Sequence, residues 1–407
     1  MHPFEHSIEY LASLQDLETK LNRAIAGAYP AASTFYAKVG VLFFRWANDD
    51  IGVEPAEDRL AWVLQNIYGY EVSRVVIPSD HNSKRMVIGA LLDMINEYDK
   101  PNSLSIVIYS GHARGNANQC LWSGTIDSAV TVDWLLVRRI VGYQDHDMLE
   151  ILDCCYAAVA AIDSPTEVLV SSSQESVAGF EPEHNFTMAL ADILENSGGR
   201  AMTVAQIHAK LVRNADKYRL EATPVHAQLG NELSGSICLA RLGDAGAGNF
   251  EVPDSMEIQI VVTAYLQGHS LPPDFKEWNR FLRSAVPRNL RHMDIKIEAH
   301  SLVNTGLALL QFSVPLPVFS VLKAIGPFRY LCVAHSSNLF LRPTVSSAIH
   351  PPREEEYCPR PPIELENRPS RPATPAGGRP AVLADVLRRQ GTPRDRPQTP
   401  QNEDASC

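Results

Sequence analysis

The sequence predicts an α/β domain in which a parallel sheet is covered by helices on both faces. Three observations support this prediction. Strand-like and helix-like segments alternate over about 200 residues, as in parallel sheets joined by crossover helices. The strand-like segments are continuous apolar runs, such as Val39–Trp46 (VGVLFFRW), and such runs are typical of strands buried on both faces. Two of the strands also lead directly into reactive side chains, His112 and Cys155.

The alternating elements occupy residues 39–242. Helices are indicated by apolar residues at three- and four-residue spacing, and strands by short apolar runs that stop at turn-forming residues. The segment Thr203-Val204-Ala205-Gln206 is a capping box that opens one helix. The predicted strands are Val39–Trp46, Val72–Ile77, Ser105–Tyr109, Met148–Leu152, Glu167–Ser171 and Ser236–Leu242. The predicted helices lie over residues 60–68, 86–95, 131–140, 186–194 and 203–218.

Three further segments flank this predicted catalytic domain. Residues 1–38 have apolar residues at helical spacing and are predicted to be a peripheral helical segment. Residues 250–342 combine β-type runs with an amphipathic helix around Trp278, which predicts a small α+β domain or an appendage packed on the first domain. Residues 343–407 contain 13 of the 28 prolines and many arginines, a composition that predicts a disordered tail. The tail is a candidate docking sequence for a partner protein.

Composition and charge narrow the class of protein. The 407 residues carry a formal net charge of −11, which does not favour a nucleic-acid-binding surface. No apolar run reaches the roughly 18 residues of a membrane span, and the N-terminus lacks the pattern of a secretory signal. The seven cysteines show no zinc-binding spacing, and an odd number fits a reducing compartment. We therefore expect a cytoplasmic protein with no membrane or nucleic-acid partner and no metal site.

The pair formed by His112 and Cys155 carries the functional prediction. Parallel-sheet proteins collect functional residues at the C-terminal ends of their strands. A thiol is a weak nucleophile until a base takes its proton, and an imidazole can do so and later protonate the leaving amine. Between these residues lies room for a crossover helix and one more strand. The alternative is that both are ordinary structural residues, since a buried cysteine usually packs as a small hydrophobe.

Residues next to the pair are candidates for the rest of the site. Side chains alternate along a strand, so Cys154 is expected to point into the core and Cys155 to be the nucleophile. A tetrahedral oxyanion needs backbone N–H donors, and those of Ala113 and Cys155 are the natural ones at these two turns. His226 is expected to be a loop residue without a catalytic role, as are Glu181 and His184.

Two motifs resemble those of the caspase-like clan, on its metacaspase side, and most closely fungal caspase-domain proteins. They are Tyr109–Ala113 (YSGHA) and Asp153–Ala158 (DCCYAA). The resemblance covers about residues 38–242. Further matching segments are Trp46–Asp50, Thr166–Glu167, Phe186–Leu190 and Thr223–His226.

The resemblance implies a caspase-haemoglobinase fold with a mostly parallel six-stranded sheet. It also implies a cysteine endopeptidase with His112 as general base and Cys155 as nucleophile, acting on a protein or peptide, with a role in regulated cell death. Asp153 would make the pocket for the residue before the scissile bond acidic and so favour Arg or Lys there. Ser110 is a further candidate for substrate binding. Asp49 or Asp50 would add to the same pocket, or would instead have a loop or helix-start role, since Asp is favoured there.

The sequence departs from the family pattern in three places. Ala113 replaces a glycine after the histidine, which would be costly if that backbone needs a positive φ. Tyr156-Ala157-Ala158 replaces the usual His-Ser-Gly after the nucleophile. Asp127 and Asp133 do not form a recognisable calcium cluster, so no cofactor is predicted and calcium activation stays open. These departures motivate an alternative function, a catalytically inactive caspase-like module that acts as a scaffold.

Overall fold

The computed structural model describes residues 10–29, 35–116, 118–141, 146–161, 166–171, 185–228, 235–243, 258–267, 272, 274–304, 308–324 and 327–334. The helices are α1 (Leu14–Ala28), α2 (Glu54–Asn66), α3 (Ser83–Tyr98), α4 (Trp134–Val141), α5 (Phe186–Ser197), α6 (Val204–Arg213), α7 (Phe275–Ser284) and α8 (Leu316–Leu322). The predicted tail, residues 343–407, lies outside the described residues, as do Glu181 and His184.

Fifteen strands are described, and they form four sheets. The strands are β1 (Lys38–Trp46), β2 (Glu71–Ile77), β3 (Ser103–Ser110), β4 (His112–Asn116), β5 (Gln119–Ser123), β6 (Val132–Asp133), β7 (Asp147–Asp153), β8 (Glu167–Val170), β9 (Met202–Thr203), β10 (Val225–Gln228), β11 (Cys238–Leu239), β12 (Gln259–Leu266), β13 (Glu298–Asn304), β14 (Ala308–Pro315) and β15 (Phe328–Ala334).

Six strands form the central sheet, in the order β10-β8-β7-β3-β1-β2. All neighbouring pairs are parallel except β10 with β8, which is antiparallel. Every residue of β3, in the interior of the sheet, is buried, which explains its continuous apolar run. The predicted mostly parallel α/β sheet is therefore confirmed.

Helices cover both faces of this sheet. On one face, α2, α5 and α6 share a core with Val41, Phe43 and Ile106 of the strands. α3 lies on the opposite face, where the ring of Tyr98 passes over Gly40. A Cβ at position 40 would lie 2.3 Å from that ring, so only glycine fits there. The two faces thus bury alternate residues of β1.

The sequence does not predict β10, the sixth strand, because it has four residues and two of them are polar. The predicted final strand, Ser236–Leu242, is wrong as a member of the central sheet. Only Cys238–Leu239 is extended, and it pairs with Met202–Thr203 in a separate two-stranded sheet. The predicted helix over 203–218 ends early, at Arg213, although its capping box is present.

His226 lies in β10 and not in a loop as predicted. It is 1% exposed, and its Nε2 lies 2.6 Å from Oε1 of Glu167 on the neighbouring strand. Burial lowers the pKa of His226 to about 3 and raises that of Glu167 to about 8. The pair is therefore a neutral, buried contact between the edge strand β10 and β8, and β7 separates these two strands from β3.

A four-stranded antiparallel sheet follows, in the order β13-β14-β12-β15. Helix α8, between β14 and β15, contacts α1, α6 and β10. Lys323, at the end of α8, donates from Nζ to the carbonyl oxygen of His226 at 2.9 Å. The Thr203 hydroxyl, at the start of α6, donates to the carbonyl oxygen of Ala28 in α1 at 2.6 Å. The described parts of the N-terminal and C-terminal segments are therefore both packed against the central α/β region. The domain bounds at 38, 242, 250 and 342 stay predictions.

The connection from β3 to β7 holds a small sheet and one helix. Strands β4, β5 and β6 form an antiparallel sheet, and α4 follows it. No further strand of the central sheet lies among the described residues of this connection, so β3 and β7 are direct neighbours. The predicted helix of this connection is present as α4, and the small sheet, which begins at His112, is not predicted from the sequence.

Candidate active site

The C-terminal ends of β3 and β7 lie side by side. Ser110, the last residue of β3, pairs with Asp153, the last residue of β7. The backbone N–H of Gly111 donates to the carbonyl oxygen of Asp153 at 3.1 Å and extends this pairing. His112 and Cys155 each follow the paired residue by two positions. The fold therefore brings the predicted base and the predicted nucleophile to one edge of the sheet.

Two hydrogen bonds hold His112 in place. Its Nε2 lies 2.7 Å from Oδ1 of Asp50, in the loop after β1. Its carbonyl oxygen accepts a hydrogen bond of 2.6 Å from the hydroxyl of Tyr109. The side chain of His112 is 20% exposed, so solvent reaches it although most of its surface is covered. Both the ring and the backbone of the predicted base are thus fixed by neighbours.

An aromatic stack lies beneath His112. The ring of Tyr109 stacks on Trp122 with centroids 3.9 Å apart and planes 6° apart, and Trp122 stacks on Trp134 at 4.4 Å. All three side chains are buried. Such rings are rigid and lose little freedom on packing. The stack therefore fixes Tyr109, whose hydroxyl holds the backbone of His112. Sequence reasoning missed this stack, since only Tyr109 lies in a quoted motif.

The two adjacent cysteines differ in their surroundings. Cys154 is 2% exposed, and burial raises the pKa of its thiol well above the usual value. Cys155 is half-buried. Because the thiolate is the nucleophilic form, the buried thiol is the poorer candidate. Burial therefore favours Cys155, while the catalytic roles of Cys155 and His112 stay predictions.

The backbone turns sharply just after Cys155. Tyr156 has φ of 59°, in the left-handed region that non-glycine residues rarely adopt. A 3₁₀ turn, Ala157–Ala161, follows directly. Left-handed backbone at a non-glycine residue costs of order 1 kcal/mol and is often found at functional sites. Here it lets the chain leave the sheet one residue after the predicted nucleophile.

Ala113 does not carry the strain that its replacement of glycine suggested. It lies in β4, paired with Trp122, and its φ is not positive. The positive φ of this turn, 152°, belongs to Gly111. A Cβ at Gly111 would also lie 2.8 Å from the Tyr109 hydroxyl. The turn needs its glycine before the histidine, and the oxyanion role of Ala113 stays a prediction.

The carboxylate of Asp153 is anchored by helix α5. It is 6% exposed, and its Oδ2 accepts from the backbone N–H of Thr187 at 3.1 Å and from the Thr187 hydroxyl at 2.7 Å. The hydroxyl of Ser110 lies 3.2 Å from that of Thr187. Burial raises the pKa of Asp153, and the bonds from Thr187 oppose the rise. Thr187 was missed as a site residue, although it lies in the quoted segment Phe186–Leu190.

The structure separates the two neighbouring aspartates. Asp49 accepts hydrogen bonds from the backbone N–H groups of Gly52 at 2.8 Å and Val53 at 2.9 Å, just before α2. Both donors precede the first residue of α2, which has no side-chain cap, so this is the loop role that the sequence left open for Asp49. Asp50 is 52% exposed and contacts His112 instead. Their predicted place in a substrate pocket stays a prediction.

Metal ligands are not gathered in the described part of the chain. No group of three or more His, Cys, Asp or Glu side chains there could hold a metal ion. Asp133 accepts a hydrogen bond from the backbone N–H of Leu136 at 3.3 Å, a bond typical of a helix start. Separately, no helix among the described residues is long and apolar enough to cross a membrane.

Comparisons with known proteins add little to this description. Neither a protein-family model nor a curated protein matches the sequence. Among solved structures, the chain is similar to caspase-1 from Spodoptera frugiperda at 12% identity and a TM-score of 0.37. The similarity covers 48% of this chain and 89% of that one. A likeness this distant carries no argument about chemistry, and the fold described above is defined by its own strand order.

Proposed function

We propose that this protein is a cysteine peptidase of caspase-like fold, with Cys155 as nucleophile and His112 as general base. One observation supports the proposal most strongly. Strands β3 and β7 are neighbours, and Ser110 pairs with Asp153, so His112 and Cys155 both follow the paired C-terminal ends of these strands. The half-buried Cys155 and the firmly held His112 fit a reactive thiol beside an imidazole.

The proposed reaction proceeds in two stages. His112 takes the proton of the Cys155 thiol, and the thiolate attacks the carbonyl carbon of the scissile bond. The carbonyl π electrons move to oxygen, where the N–H groups of Ala113 and Cys155 would stabilise the negative charge. Collapse expels the amine, which takes the proton from the imidazolium and leaves a thioester. Water, deprotonated by His112, then attacks the thioester, the thiolate leaves, and the carboxylic acid product is released.

We propose cleavage after Arg or Lys. Asp153 is two residues before the nucleophile and is the acidic side chain nearest to it in sequence. Burial raises its pKa, so its ionised form is costly without a cation beside it. A basic substrate side chain would supply that cation and offset the cost. An acidic substrate side chain would add a second negative charge and be rejected.

The alternative function is an inactive scaffold of the same fold. One of the two sequence features that supported it no longer does. It rested partly on strain at Ala113, and the left-handed φ belongs to Gly111. The other motivation, the Tyr156–Ala158 segment in place of His-Ser-Gly, remains. A role in regulated cell death, a cytoplasmic location and a docking partner for residues 343–407 are proposals that rest on the resemblance and the composition.

A peptide-library experiment tests the proposal. Purified protein is incubated, with and without calcium, with peptides of varied sequence, and the cleaved bonds are identified by mass spectrometry. We expect cleavage after Arg and Lys, none in Cys155→Ala, and retained cleavage in Cys154→Ala. Cleavage that persists in Cys155→Ala, or that follows Asp, would contradict the proposal. If no peptide is cleaved, the scaffold alternative is favoured.

A further inference from the structure

Asp50 forms a direct contact with the ring of the proposed base. Its Oδ1 lies 2.7 Å from His112 Nε2, although the two residues are 62 positions apart in the chain. We propose that Asp50 is a positioning residue that orients His112 for proton transfer with Cys155, and not primarily part of the substrate pocket. This inference rests on the proposed peptidase function, because it assigns Asp50 a task within that reaction.

The contact determines which ring nitrogen can act as the base. A carboxylate only accepts hydrogen bonds, so Nε2 of His112 must carry a proton to donate to Asp50. In the neutral ring the free lone pair is then on Nδ1. When Nδ1 takes the thiol proton of Cys155, the imidazolium gains a carboxylate partner at hydrogen-bonding distance. Asp50 would thus select one tautomer and stabilise the charged state that the reaction creates.

The loop that carries Asp50 is well supported. The preceding residue, Asp49, accepts backbone hydrogen bonds from Gly52 and Val53, and its own N–H donates to the carbonyl oxygen of Trp46 at 3.3 Å. The loop is thereby tied both to the end of β1 and to the start of α2. A functional side chain on such a fixed segment is held close to one geometry. The Tyr109 hydroxyl fixes the other partner through the backbone of His112.

Exposure limits the size of the effect. The side chain of Asp50 is 52% exposed, so water competes for the contact and partly replaces it when the carboxylate is lost. We expect Asp50→Asn to slow peptide cleavage and the alkylation of Cys155 by iodoacetamide roughly tenfold, less than for a buried orienting carboxylate. Asp50→Glu keeps the charge and should recover part of both rates.

The test combines a spectroscopic signal with a chemical rate. Nuclear magnetic resonance of protein with ¹⁵N-labelled histidine detects the Nε2–H proton of His112, which the contact should shift downfield and protect from exchange. The signal is assigned by its loss in His112→Ala. Alkylation of Cys155 by iodoacetamide is followed by peptide mapping. Asp58→Asn is the matched control, because Asp58 is 55% exposed, pairs with Arg74 and lies on α2 outside the proposed site.

We expect the signal in the wild type, Asp50→Glu and Asp58→Asn, a smaller downfield shift and faster exchange in Asp50→Asn, whose amide oxygen is a weaker acceptor, and loss of the signal in Asp50→Ala. Alkylation should slow in Asp50→Asn and Asp50→Ala, slow less in Asp50→Glu, and stay unchanged in Asp58→Asn. Unchanged alkylation after loss of the signal would overturn the proposal. So would faster alkylation, because Asp50 would then be holding His112 away from Cys155. If the wild type cleaves no peptide but the signal and alkylation respond as expected, the peptidase function fails and the positioning role stands.

Discussion

Thr187 donates two hydrogen bonds to Oδ2 of Asp153, one from its backbone N–H at 3.1 Å and one from its hydroxyl at 2.7 Å. Asp153 ends β7 and Thr187 lies in the first turn of α5. A carboxylate at a helix N-terminus is stabilised by the free N–H groups there. The acidic residue beside the proposed nucleophile therefore also anchors a helix, and the two tasks can be separated by mutation.

Thr187→Val removes the hydroxyl while keeping the backbone N–H and the shape of the side chain. We expect the free energy of unfolding at pH 7 to fall by about 1–3 kcal/mol, because a buried, charge-assisted hydrogen bond is lost. The pKa of Asp153 should rise further, since the hydroxyl bond opposes its increase. Urea denaturation measures the first change. A variant as stable as the wild type would show that the hydroxyl bond is not formed.

Asp153→Asn separates binding from anchoring. The amide oxygen can still accept from Thr187, so α5 should stay in place, but the negative charge is gone. We expect KM for Arg and Lys peptides to rise by about tenfold or more, since a charge-assisted contact is lost. Alkylation of Cys155 by iodoacetamide, a reagent without a basic group, should change little. Equal loss in both assays would instead indicate a general disturbance of the site.

The Tyr109 hydroxyl is predicted to hold the backbone of His112. Tyr109→Phe removes the bond to the His112 carbonyl and keeps the stack on Trp122. We expect a loss of about 1 kcal/mol in stability and a several-fold loss in peptide cleavage. Tyr98→Phe is the matched control: its hydroxyl donates to Glu71 at the other end of the sheet. It should lose similar stability without losing activity, and equal activity losses would contradict the predicted role.

The left-handed backbone at Tyr156 predicts a difference between two substitutions. Tyr156→Gly and Tyr156→Ala both remove the aromatic ring, but only glycine adopts φ of 59° without strain. We expect the glycine variant to be more stable than the alanine variant by about 1 kcal/mol, the reverse of the order in an ordinary helix. Thermal unfolding of the two proteins compares them directly. If alanine is the more stable, the turn after Cys155 is not left-handed.

Glu57, in the first turn of α2, makes stability depend on pH. It is 2% exposed, and burial raises its pKa from 4.5 to about 7 despite Arg45 and Arg74 nearby. The folded state therefore binds more protons than the unfolded state between these two values. Its contribution to stability is full below pH 4.5 and is lost as the pH rises to 7.

Substitution of Glu57 by Gln should remove this dependence. The loss of stability between pH 4.5 and pH 8 should be about 3 kcal/mol smaller in Glu57→Gln than in the wild type. Glu54→Gln is the control, because Glu54 is 58% exposed on the same turn. Urea denaturation at the two pH values gives the comparison. If the free energy of unfolding changes equally in Glu57→Gln and in the wild type between the two pH values, Glu57 is ionised at neutral pH and the prediction is wrong.

The parts of the fold that sequence could predict are those that local pattern controls. The apolar runs around Phe43 and Ile106 specify buried parallel strands, and alternation along β7 distinguishes Cys154 from Cys155. Strand β10 could not be predicted, because four residues that include His226 and Gln228 carry no apolar pattern. It forms only through its pairing with β8.

In the site, too, local sequence pattern predicts some residues, whereas others depend on contacts between distant parts of the chain. His112 and Cys155 could be located as the residues that follow two buried strands. The partners of His112 and Asp153 could not, since Asp50 and Thr187 reach them from 62 and 34 positions away. Such contacts depend on how loops and helix ends meet at the edge of the sheet. Asp49 and Asp50 likewise differ in their contacts because the backbone N–H groups of Gly52 and Val53 donate to Asp49 and not to Asp50.

Cys155 is proposed to be a nucleophile in a site that accepts basic side chains. The most direct measurement uses two thiol-directed acyloxymethyl ketones, one bearing Arg and one bearing Asp, with peptide mapping of the labelled protein. We expect the Arg reagent to label Cys155 faster than the Asp reagent, and we expect no labelling of Cys155→Ala. Labelling of Cys154, labelling that survives in Cys155→Ala, or preference for the Asp reagent would contradict the proposal.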